Sequence, residues 1–262
     1  LVFYTGLFIL YLEYETGRNM SKLPKAPLVE VVFELRWKII NKADLSKIPY
    51  LYGDIYAQLK NKYPFRESIV PPEIPIDILI NQPIHRFRTA PNEYPLFQVG
   101  PGLITLNTID SKYYWETFLK DAEELISSFL ETFPLQESDK LNPSILFIDF
   151  FSFDFEKNDV HKFINENFKI NFSQSFIKAT KNPNDINLGF YYEIPLGNLS
   201  VIFNKGKNTN QTEGIVMQTR INGISVNPKI EDLLLWLQQS HETCSEIFKS
   251  LTEGKLYESF KS

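Results

Sequence analysis

Four charged side chains are the first candidates for chemistry. Glu34 and Arg36 stand two apart in the run Pro27-Leu-Val-Glu-Val-Val-Phe-Glu-Leu-Arg-Trp37, and Arg86 and Arg88 stand two apart in His85-Arg-Phe-Arg-Thr89. On an extended chain, a spacing of two puts both members of a pair on one face. Guanidinium groups are planar forks, so Arg36, Arg86 and Arg88 can each hold a carboxylate or phosphate through two parallel hydrogen bonds. If their strands lie side by side, Glu34 and Arg36 next to Arg86 and Arg88 form a charged ladder across an exposed sheet face. The plainer alternative is surface pairing among these same groups, where each pair is worth little. Glu30 and Glu34 do not make an acid–base pair. Four residues of strand separate them by about 13 Å, beyond the roughly 5–9.5 Å at which two carboxyls act on one bond.

Other chemistries lack their residues. The three histidines are His85, His161 and His241, and neither His-x-x-x-His nor Cys-x-x-Cys occurs. No metal or catalytic residue is therefore assigned. The glycine patterns of a hydrolase elbow or a dinucleotide site are missing, and Gly206-Lys207 lacks the second glycine and helix of a phosphate loop, so no organic cofactor is expected. His241 falls on an apolar helical stripe and reads as a core histidine with one satisfied nitrogen. Cys244, the single cysteine, reads as a small buried apolar residue. Asp149 shares parity with Phe147 and Phe151. A buried aspartate needs a partner, and Arg220 is the candidate.

The elements that would position these residues follow from periodicity. Val29, Val31, Phe33, Leu35 and Trp37 alternate with Glu30, Val32, Glu34 and Arg36, which predicts a long first strand. A similar strand returns about 116 residues later at 144–154. Between them the pattern predicts a polar turn at 41–49 and a helix over 50–63. A proline-rich strap over 65–83 follows, with Ile74, Ile76, Ile78 and Ile80 alternating. Strands near 85–89, 95–99 and 103–108 come next, then a helix from Asp110 or Ser111 to Phe133. After the polar break at 135–143 the order repeats. Asp159 caps a short helix, strands occupy 187–194, 199–204 and 214–221, and Pro228 opens a last long helix. Shifting by 118 aligns Phe118 with Trp236, Leu119 with Leu237 and Ile126 with Cys244. The expectation is an α+β protein of two tandem β-α-β-β-β-α halves, 20–138 and 139–262. The sheet is mostly antiparallel and a long helix covers each half.

Composition bounds the class. Apolar residues make up 43% of the 262, with 22 Phe and 13 Tyr, enough for a large core. A net charge of −5 argues against broad nucleic-acid binding. Residues 1–19 include the apolar run Leu1 to Leu12, which is short for a membrane helix and lacks a basic flank. They read as a leader upstream of a start at Met20, and the protein as cytoplasmic with no membrane partner.

The string Ala26-Pro-Leu-Val-Glu-Val-Val-Phe-Glu-Leu-Arg-Trp37 resembles the opening signature of a sporadically distributed bacterial and archaeal family of about this length. Tyr94-Pro-Leu-Phe-Gln98 and the ending around His241, Phe248 and Leu251-Thr252 are similar too, so the likeness covers about 22–260. The resemblance supports the start at Met20 and implies a prokaryotic protein of unknown function, with no activity, cofactor or catalytic residue to carry over. The element order is also similar to the TATA-binding protein and to helix-grip ligand-binding proteins, a likeness of fold alone. The expected function is a non-catalytic binding or regulatory protein. It would take an unknown protein or anionic ligand on an open sheet face, or in a groove beside the strap, through Arg36, Arg86, Arg88 and Glu34. The alternative is a helix-grip protein holding a small apolar ligand, including a hydrolase of that kind. A cavity of several hundred Å³ under a long helix would mark it. A nucleic-acid-binding module is the third reading and requires clustered Arg and Lys.

Overall fold

The structure, a computed structural model, describes residues 22–39, 42–133, 135–136, 138–171, 173–174 and 182–261. The expected leader and start lie outside these residues. Among the described residues nine strands form one antiparallel sheet: β1 (Leu28–Arg36), β2 (Phe65–Ser68), β3 (His85–Arg88), β4 (Leu96–Gly100), β5 (Leu103–Ile109), β6 (Asn142–Ser152), β7 (Asn187–Ile194), β8 (Gly197–Lys207) and β9 (Glu213–Asn222). Their order is β2-β3-β4-β5-β1-β6-β9-β8-β7. Among the described residues five helices accompany them: α1 (Lys42–Leu59), α2 (Trp115–Thr132), α3 (Val160–Asn167), α4 (Ile230–Thr252) and α5 (Lys255–Ser259).

The alternation in β1 sets the layers. Val31, Phe33, Leu35 and Trp37 are all buried on the helix-covered face, where α1 packs over β4, α2 over β5, and α4 over β6 and β9. Glu30, Val32, Glu34 and Arg36 point to the other face. β1 pairs with β5 on one side and β6 on the other, so the sheet runs unbroken from edge to edge. Asp159 caps α3 as expected, its carboxylate accepting from the backbone N–H of His161 at 2.8 Å and Lys162 at 3.1 Å.

Several expectations need correction. Val29 is 41% exposed, because the ladder with β6 shifts register between Leu28 and Glu30. Two residues of β1 there oppose one of β6, and the bulge turns Val29 out of the core. Helix α1 begins at Lys42, through the stretch read as a turn, and carries Pro49 in its interior. Proline forfeits a helical hydrogen bond. Burial of Ile48 and Leu51 on either side of it outweighs that loss. The strap contributes a short strand, β2, and then a 3-10 turn at Ile76–Leu79 instead of an alternating extended run. Ile78 is exposed, since prolines at 71, 72 and 75 leave few donors for a ladder. The first run of strands thus has five members where four were expected. Helix α2 starts at Trp115, after a 3-10 turn at Asp110–Lys112, because Tyr113 stays extended and buries its ring edge-on against Phe118 and Phe147.

Candidate functional site

The four residues singled out from sequence lie on the face away from the helices, but in two separate places. β4 and β5 stand between β3 and β1. Parity fixes the face of a residue and leaves strand order undetermined, so the expected cluster of Arg36 with Arg86 and Arg88 does not assemble. Arg36 reaches Glu34 at 3.1 Å, and Glu34 also receives Arg220 at 3.4 Å. Arg220 further contacts Ser144 at 3.2 Å and sits on the opposite face from Asp149, so it is not that residue's partner. Arg86 donates to the Gln98 side chain at 3.1 Å. Arg88 is only 7% exposed and donates to the Glu93 carbonyl at 2.7 Å, which corrects its reading as a surface charge. Between the two places runs a hydrogen-bonded chain. Gln98 donates to Thr105 and Asn107, and Asn107 donates to Glu30 at 2.8 Å. Every arginine here already has an intramolecular partner.

The other face holds a cavity of about 330 Å³, between the N-terminal end of α2, the middle of α4 and the centre of the sheet. Its floor is Phe147 and Asp149 of β6 with Thr219 of β9. Tyr113 and Trp115, and His241, Cys244 and Phe248 of α4, also line it. The segment entering β1 and Tyr257 of α5 add to the lining, and a backbone hydrogen bond from Lys25 to the Phe260 carbonyl ties the two segments together. The β1 bulge lies at this spot, with Leu28 opposite Asp149 and the Phe150 N–H donating to the Pro27 carbonyl at 2.8 Å. Bulges are common beside functional sites because they re-aim side chains.

Polar groups in this cavity are under-used. Asp149 is 4% exposed, and no described residue gives its carboxyl a hydrogen bond. The Tyr113 hydroxyl, the Thr219 hydroxyl and His241 Nδ1 are also buried without a partner among the described residues. His241 differs in that respect from the satisfied core histidine expected. Its ring lies flat on Trp115, with centroids 3.7 Å apart and planes within 5°. Burial, then the nearby Asp110 charge, pushes the Asp149 carboxyl up to about 7. Burial, helped by Lys249, brings His241 down to about 4, so its ring is neutral at pH 7. Cys244 is buried as expected, and its thiol is pushed up to about 12, which leaves it unreactive. Lys22 and Asp110 pair at 3.0 Å near the mouth.

The sequence flagged Asp149, His241 and Cys244 individually and missed Tyr113, Trp115 and Thr219. The available signal was a carboxylate at core parity inside a run of phenylalanines, facing a histidine on a helical stripe. Among the described residues, no cluster of His, Cys, Asp and Glu is arranged to hold a metal, and no helix is long and apolar enough to cross a membrane. Comparisons with protein-family models, curated proteins and solved structures return no match.

Proposed function

We propose that this is a small-molecule-binding protein whose ligand lies between the sheet and helices α2 and α4. One observation carries the reading: a cavity of about 330 Å³ under a long helix, with six aromatic side chains in its lining and several buried polar groups unpaired. Ligand sites have this composition, apolar walls and a few convergent polar groups, at volumes from about 300 Å³ upward. Unpaired buried polar groups each cost about 1–3 kcal/mol, a debt that a bound ligand would relieve. The open sheet face supports a binding role less well, because Arg36, Arg86 and Arg88 already bond within the molecule.

The same reading takes 28–132 and 142–252 as two copies of one unit. Supporting it, the order β3-β4-β5-β1 and the order β7-β8-β9-β6 run inward to a shared β1–β6 ladder. Helices α2 and α4 follow the corresponding strands and pack on each other. The ligand site then sits beside the junction of the copies.

The test fills the cavity. Ser245 lines it from α4 and is half-buried, so Ser245→Phe projects a ring inward with little disturbance of the core. A thermal-shift screen of small aromatic and aliphatic compounds should raise the melting temperature of the wild type and not of Ser245→Phe. Equal responses from both proteins would remove the cavity as the binding site.

A further inference from the structure

Resting on the cavity as a ligand site, the geometry points to an organic ammonium cation as its occupant: a compact apolar body bearing one amine, whose N–H groups bond to Asp149. Once ionised, as above about pH 7, Asp149 is acceptor-only, so the partner it lacks in that form must be a donor. Asp149 lies on the cavity floor, 4% exposed, and no described residue supplies that donor. The hydroxyls of Tyr113 and Thr219, also unpaired, can turn their lone pairs toward the same N–H groups.

Charge agrees with this choice. The cavity lining includes Lys22 and Lys249 against Asp110, Glu116 and Asp149, two cations and three carboxylates, for a formal balance of −1. Lys22 is occupied by Asp110, and Lys249 is exposed. Glu116 is exposed to solvent, so the buried carboxylate left without a partner among the described residues is Asp149. A ligand anion would bring a second negative charge against it in a poorly solvated space. The walls agree as well. Trp115, Phe147, Phe248 and Tyr257 present aromatic rings, whose negative faces attract cations within about 6 Å. A volume of about 330 Å³ corresponds to about eleven waters at about 30 Å³ each, room for one ring with a short arm.

Isothermal titration of the full chain with three arylalkyl probes of one shape tests the assignment. The probes are 2-phenylethylamine, 2-phenylethanol and 3-phenylpropanoate. The amine should bind about ten- to a hundredfold more tightly than the alcohol, the range of a charge-assisted hydrogen bond, and the carboxylate should bind weakest. Asp149→Asn should keep alcohol binding and lose the preference for the amine. Retained alcohol binding also reports that the variant is folded. If the wild type binds alcohol as tightly as amine, the cation is overturned while the cavity stands. If it binds none of the three probes, the cavity reading falls together with the cation.

Discussion

Asp149 and His241 face one cavity with opposite pH dependences, and mutating either should unmask the other. In the unfolded chain Asp149 loses its proton near 3.8, whereas in the folded protein it keeps it up to about 7. Between those values the folded state holds the extra proton, so its stability falls as pH rises. The difference is about 3 pKa units, and at 1.36 kcal/mol per unit the loss is about 4 kcal/mol, complete just above pH 7. His241 runs the other way. Unfolded it is protonated below 6.5, and folded only below about 4. The unfolded state holds the extra proton in that window, and stability rises by about 3 kcal/mol as pH goes from 4 to 6.5. In the wild type the two slopes nearly cancel between pH 4 and 6.5. Asp149→Asn removes the falling term, and His241→Phe removes the rising one while keeping a flat ring against Trp115. Urea denaturation at half-unit steps from pH 4 to 8 measures the effect. Taken as differences from the wild type, the contributions of all other carboxylates drop out. Asp149→Asn should gain about 4 kcal/mol relative to wild type from pH 4 to 7.5, and His241→Phe should lose about 3 from pH 4 to 6.5. These are sizeable fractions of a typical 5–15 kcal/mol stability. Flat differences, or differences of the same sign, would show that these groups are not desolvated as the structure has them.

Two further perturbations probe the opposite face and the strap. Arg88→Glu should destabilise by about 3–5 kcal/mol, because it buries a carboxylate and strands the Glu93 carbonyl. Arg86→Glu, at a side chain 36% exposed, should cost about 1 kcal/mol, and equal midpoints in urea would refute the difference. Gly100→Ala should cost about 2–3 kcal/mol and speed limited proteolysis within 69–84, since a β-carbon there would lie 1.8 Å from the Gln82 carbonyl oxygen. Unchanged cleavage and an unchanged midpoint would mean that the strap is not held against β4.

Much was legible in the sequence because it is local. Alternation in 28–36 specified the first central strand and most of its buried face, since a pleated chain turns successive side chains to opposite sides, and the similar run at 144–154 specified the second, which spans Asn142–Ser152. The Asp159 cap could be read because a few adjacent residues decide it, whereas Gly197-Asn198, which reads as a tight turn, opens β8 and the turn itself falls at 195–196. Parity also placed Asp149 among core residues. Strand order could not be read this way: nothing local says that two strands separate Arg36 from Arg86, or that Arg220 faces away from Asp149. Helix α1 ran through Pro49, against local propensity, because the burial of Ile48 depends on residues far along the chain. The cavity is the extreme case. It lies where α2 and α4 meet the centre of the sheet beside the β1 bulge and the segment 22–28, and no short stretch of sequence records the gap left between packed elements. The types of the residues facing one another there were set by the sequence. That they converge, with a carboxyl left unpaired, was set by tertiary packing, since burial and unmet hydrogen bonds are properties of the assembled fold.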